Sequence, residues 1–149
     1  MDLVDTIRAI ETTELDRAAA AALFAEAIRA AGPYRWVGLY DVTPDEIAII
    51  TFSGPAPPAY PTFPVTKGLS GEAVRSRRTV VSNDVSRDTR YLTNLETTGS
   101  EMIVPILAPD GHVVGTIDVE NDELDAFSDL DVDAVVACTE VVRERLFRS

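Results

Sequence analysis

The sequence predicts an α+β fold, a sandwich with a central antiparallel sheet of about six strands and with the N- and C-terminal helices packed on one side. Three observations predict it. Apolar residues recur at helical spacing before residue 32 and after residue 128, the segments between alternate with a period of two, and those segments fall into pairs joined by turn sequences. At 149 residues the chain can bury roughly two-thirds of the surface its unfolded form exposes, so one domain spanning 1–149 is expected.

Taken in order, "MDLVDTIRAI" reads as a short helix, and "TTELDRAAAAALFAEAIRAAG" as a long one. Thr13 with Asp16 resembles a capping box at its start, and Gly32 followed by Pro33 stops it. "YRWVGLYDV" and "EIAIITFS" flank the turn "TPDE" and predict a hairpin. The stretch 53–64, "SGPAPPAYPTFP", holds five of the nine prolines and must be loop, because proline lacks the backbone donor of a strand or helix interior. A short strand follows at 63–65. A helix is expected over 70–77 with Ser70 as its N-cap and Gly68 and Gly71 serving the turn, then a strand at "TVVSND". Residues 85–100 are polar and aperiodic, a long surface loop with a helical turn, able to close as a lid. "EMIVPILA" and "VVGTIDVE" form a second hairpin around "PDGH", and "SDLDVDAVVACTEVVRERL" closes the chain as a helix with Ser128 and Asp131 as its capping box.

Composition narrows the function. The net charge of −12, from 25 acids and 13 bases with no basic stripe, argues against nucleic-acid binding. No apolar run approaches the roughly 20 residues of a membrane helix, so no membrane partner is expected, and the acidic start lacks the pattern of a secretory signal. One cysteine, Cys138, allows no internal disulfide and fits a reducing, cytoplasmic location. It falls at helical intervals with Val135, Val142 and Leu146 and reads as core.

On a strand, side chains two apart share a face, so Trp36, Gly38 and Tyr40 point together, with Gly38 a gap between aromatic walls. Asp118 and Glu120 likewise share a face. Two readings stay open. The aromatics are ordinary core and the acids ordinary surface, or both line a pocket for a small cation, through charge-assisted hydrogen bonds and cation–π contact. Acids that converge could also hold Mg²⁺ or Ca²⁺, but no ligand-loop spacing supports a metal site and none is assigned. A hydrolytic Ser70 is unsupported: "GLSG" is not Gly-x-Ser-x-Gly, and the one histidine, His112, lies in the turn "PDGH".

The order of elements and the run "VPILAPDGHVVGTIDVEN" (104–121) resemble a GAF domain, the small-ligand sensor module of many signalling proteins, over nearly the whole chain. Within that superfamily "WVGLY" (36–40), "GLSG" (68–71), "SEMIVPI" (100–106) and "TIDVE" (116–120) are most similar to the free methionine-R-sulfoxide reductases. The resemblance implies that Trp36, Tyr40, Glu101, Asp118 and Glu120 line the ligand pocket, with carboxylates on an amino group and aromatics on the rest. It also exposes a departure. The family's three redox cysteines fall at Tyr60, Ser70 and Asn94 here, and sulfoxide reduction needs a sulfur nucleophile and a resolving thiol. The expectation is therefore a non-catalytic sensor of a small amino-bearing metabolite, such as methionine sulfoxide, methionine or another amino acid, with no cofactor and no catalytic residue. The alternatives are a diverged oxidoreductase acting through Cys138 or an external thiol, and a dimerising or cyclic-nucleotide-binding GAF module. The resemblance also implies a homodimer through the terminal helices. The cyclic-nucleotide signature of other GAF domains is incomplete: Asn121, Phe127 and Asp131 fit it, Asp122 and Val132 do not.

Overall fold

The computed structural model describes residues 2–147. Its elements are α1 (Leu3–Ala9), α2 (Arg17–Ala31), β1 (Trp36–Val42), β2 (Glu46–Ser53), β3 (Thr62–Pro64), α3 (Gly68–Ser76), β4 (Val80–Ser82), a 3₁₀ turn (Val85–Arg87), β5 (Ser100–Leu107), β6 (Val113–Asn121) and α4 (Asp129–Leu146). The strands form one sheet in the order β3-β2-β1-β6-β5-β4, with every neighbouring pair antiparallel. The expected α+β architecture is the one observed.

The period of two decides what each face does. On β1, β5 and β6, Val37, Leu39, Met102, Val104, Ile106, Ile117 and Val119 point to the rear, where they pack with Ile7 of α1, Phe24 and Ile28 of α2, and Val135, Cys138 and Val142 of α4. The terminal helices thus share one side of the sheet. Trp36, Gly38 and Tyr40 pair in register with Glu120, Asp118 and Thr116, and Glu101 and Ile103 pair with Glu120 and Asp118. All of these therefore face the front. There Leu69 and Ala73 of α3 pack on Ile103, and Phe63 of the edge strand β3 packs against the cluster of Trp36, Tyr40 and Ile47.

Helix ends follow local chemistry, with two corrections to the sequence reading. Asp16, not Thr13, caps α2: its Oδ1 accepts from Ala19 N at 2.8 Å, while the Thr13 hydroxyl turns back to Glu11. The helix at 70–77 begins two residues earlier, with Lys67 as an N-cap that gives no side-chain bond. Ser70 sits inside its first turn, buried. Gly71 is helical too, and its hydrogen faces the Thr66 backbone, which a Cβ would approach to 2.5 Å. Close packing, not turn formation, is what this glycine serves. At α4 the capping box of Ser128 and Asp131 forms as read, and Tyr34 Oη adds a hydrogen bond to Asp131 Oδ1 at 2.7 Å.

Candidate functional site

Three carboxylates converge on the front face. β6 presents Asp118 and Glu120 two residues apart, and β5 places Glu101 directly opposite Glu120. Carboxylate oxygens of the three lie within 4.8 Å of one another, and all three residues are buried, at 4%, 4% and 0% exposure for Glu101, Asp118 and Glu120. Sequence alone leaves them as surface acids or pocket acids; their burial decides against the first.

Their partners are unequal. Glu120 is well supplied: Asn94 Nδ2 donates to Oε2 at 2.6 Å, Thr98 Oγ1 to Oε1 at 2.8 Å, and Tyr91 Oη to Oε1 at 3.5 Å. Asp118 is not. Among the described residues the buried side-chain oxygens without a hydrogen-bond partner are Ser76 Oγ, Thr116 Oγ1 and Asp118 Oδ1, and the last two share the front face of β6. An orphaned buried acceptor costs about 1–3 kcal/mol.

Glu101 and Asp118 border a cavity of about 20 Å³, together with Tyr40, Tyr60, Phe63, Ser70 and Asn94. Among the described residues no lysine, arginine or histidine borders it. Burial holds Glu101 well above the ordinary carboxylate range, and the charges of Asp118 and Glu120 push the same way. Asp118 is raised by burial and then by Glu120. Burial and the neighbouring carboxylates also raise the phenols of Tyr40 and Tyr91, which stay protonated as donors.

The aromatic residues divide. Tyr40 borders the cavity and meets Phe63 edge-on, ring centres 5.9 Å apart. Trp36 does not border it. Its ring lies over Gly38, filling the gap the spacing predicts there, stacks on Phe52 at 6.0 Å and 9°, and donates from Nε1 to Ala56 O at 2.9 Å. Trp36 thereby supports Tyr40 from behind and anchors the proline loop. Tyr60, Ser70 and Asn94, far apart in sequence, come together at the cavity, and Asn94 Oδ1 accepts from Ala59 N at 3.2 Å. One side chain thus ties the proline loop and the loop after the 3₁₀ turn to Glu120. Sequence reasoning gave Asn94 no such role, because its partners lie 35 and 26 residues away.

A small cation is what this chemistry accepts: an ammonium, which can donate to several carboxylates at once, or a hard divalent ion, for which oxygen atoms at this spacing are suitable ligands. Cys138 is remote from it, on the rear face in α4.

The family model described as "GAF domain" matches residues 12–141. "GAF domain-containing protein A" of Dictyostelium discoideum is 28% identical over 131 residues, covering 87% of this chain and 81% of that protein. Among solved structures, the free methionine-R-sulfoxide reductase of Neisseria meningitidis in complex with its substrate superposes with a TM-score of 0.82 at 26% identity, covering 97% of this chain and 83% of that one. The type II free methionine-R-sulfoxide reductase of Thermoplasma acidophilum superposes with a TM-score of 0.76 at 25% identity, covering 97% of each chain.

Proposed function

The chain belongs to the GAF domain family, and from that premise we propose that it is a non-catalytic sensor that binds the amino group of a small metabolite at Glu101, Asp118 and Glu120. The observation that carries this reading is the buried carboxylate trio, with no basic partner among the described residues and one orphaned oxygen, Asp118 Oδ1. An ammonium there would offset part of the cluster's negative charge and satisfy that oxygen in one step. Tyr40 forms the wall of the site, and Trp36 holds that wall in place. Methionine sulfoxide, methionine and other amino acids are the compounds to try first, since two structural relatives are named for the sulfoxide. The hydroxyl of Ser70, the phenol of Tyr60 and the amide of Asn94 supply no thiol chemistry. The protein in this reading works in the cytoplasm, and α1 and α4 are the surfaces through which a homodimer would form. Among the described residues no helix is long and apolar enough to cross a membrane.

The test is a thermal-shift screen of primary amines and amino acids against wild type, Glu101→Gln and a surface control, Asp45→Asn, with Mg²⁺ and Ca²⁺ as a separate arm. A ligand at 100 times its Kd stabilises by about 2.7 kcal/mol. The expected result is an amine-dependent rise that Glu101→Gln removes and Asp45→Asn keeps. A response to the divalent ions alone would replace the amine with a metal, and no response to any amine would remove the reading.

A further inference from the structure

The three carboxylates do not share one task. Glu101 and Asp118 border the cavity, and Glu120 does not. Glu120 has no exposed surface, and its two oxygens accept from a single stretch of chain, through Asn94 Nδ2, Thr98 Oγ1 and Tyr91 Oη. A carboxylate is acceptor-only with about four lone-pair sites, so it can take three donors at once. Asp118, two residues away on the same face, keeps an oxygen with no partner. One acid is occupied by the loop, and the other is left open.

What that loop covers gives the bonds a use. Leu92, Thr93 and Asn94 border the cavity together with Tyr60 of the proline loop. At about 20 Å³ the cavity has room for about one water or one ammonium head, so a larger ligand enters only if its cover gives way. Little main chain holds that cover. Among the described residues, the main-chain hydrogen bonds of 91–98 are Tyr91 N to Asp88 O and Thr98 N to Leu95 O, and neither reaches the sheet. Side chains fix the loop instead. Leu95 packs against the cluster of Trp36 and Tyr40, Tyr91 against that of Leu69 and Ile103, and Thr97 Oγ1 donates to Asp122 at 2.8 Å. Asn94 Oδ1 carries the hold across to the proline loop by accepting from Ala59 N.

We propose that Glu120 is a positioning residue, the catch that holds residues 91–98 over the cavity and leaves Glu101 and Asp118 to meet the ligand's ammonium. This rests on the amine reading above and divides its carboxylates between ligand and cover. The catch works through hydrogen bonds. Glu120→Met removes every acceptor at a similar length, whereas Glu120→Gln keeps an oxygen for Asn94 and turns a donor to the hydroxyls of Thr98 and Tyr91, which can accept. In both variants the apolar contacts of Leu95 and Tyr91 stay, so the loop loosens without unfolding.

Hydrogen exchange in the free protein tests the catch at the amides of Asn94, Thr98 and Ala59, with those of β1 and β6 reporting that the sheet is intact. Glu120→Met should raise exchange at these three by about tenfold, and Glu120→Gln by less than about threefold. Asn94→Ala, which removes the same bond from its other side, should match Glu120→Met at Thr98, and Glu101→Gln should leave the loop unchanged. No local rise in Glu120→Met and Asn94→Ala, or an equal rise in Glu101→Gln, overturns the catch. Calorimetric titration with n-butylamine tests the division of roles: Glu120→Gln should bind it at least about tenfold more tightly than Glu101→Gln. Equal affinities in those two variants overturn the division. If n-butylamine does not bind wild type, the amine reading fails, and the exchange result decides the catch by itself.

Discussion

Glu101 and Glu120 stand directly opposite each other on β5 and β6, both buried, and among the described residues no basic side chain borders the cavity that Glu101 and Asp118 line. Like charges in such a cross-strand pair destabilise a sheet. The arrangement is tolerated when protons are held within the cluster, as the raised Glu101 and Asp118 indicate, or when a cation enters it.

The free protein is therefore expected to gain stability, by about 1 kcal/mol near neutral pH, on Glu101→Gln. Glu101 and Asp118 bind protons more tightly folded than unfolded, so their contribution is fully present below the unfolded carboxylate pKa and is lost as pH rises toward the folded values. The advantage of Glu101→Gln over wild type should then shrink on acidification from about pH 8 toward pH 4. Urea denaturation of both proteins across that range measures it, and an advantage that grows on acidification would contradict the sign.

Asn94→Ala should cost about 1–2 kcal/mol, since it removes a donor from a buried carboxylate and releases the exposed Ala59 amide to water. Hydrogen exchange separates this from a general loss of stability. Ala59 and its neighbours in the proline loop should exchange faster, while the amides of β1 and β6 keep their ranking.

Gly71→Ala should destabilise by about 1–2 kcal/mol despite alanine's better helix propensity, because the new methyl meets main-chain atoms of Thr66 that cannot rotate away. Thermal denaturation checks it. An unchanged or higher Tm would mean that residues 64–67 yield freely.

Cys138 is expected to react with alkylating agents orders of magnitude more slowly in the native protein than in denaturant. It has no exposed surface, its Sγ donates to Ala134 O at 3.3 Å, and burial pushes its thiol up to about 12. The same placement predicts no reduction of free methionine-R-sulfoxide with dithiothreitol. Turnover abolished by Cys138→Ala would place this thiol within reach of the front-face cavity and overturn the prediction.

Much of the fold was legible because strand and helix periods are local. "WVGLY" and "TIDVE" place their alternate residues on opposite faces whatever surrounds them, and the Ser128–Asp131 cap is complete within four residues. The start of α3 was misread because a serine between glycines satisfies the local pattern of a cap, whereas burial of Leu69 and Ala73 against Ile103 is a tertiary contact. Within the site, the shared face of Asp118 and Glu120 could be read from spacing. The joining of Glu101, the displacement of Trp36 from the cavity and the bonds of Asn94 depend on register and loop closure, which sequence periodicity does not encode.

The alternation along β5 and β6 also gives the two faces separate accounts in the sequence. Positions 102, 104, 106, 117 and 119 hold the helical layer, while 101, 118 and 120 set the character of the front, and none belongs to both sets. A lineage carrying such strands can rewrite its chemistry at the front while the instructions for folding pass on untouched.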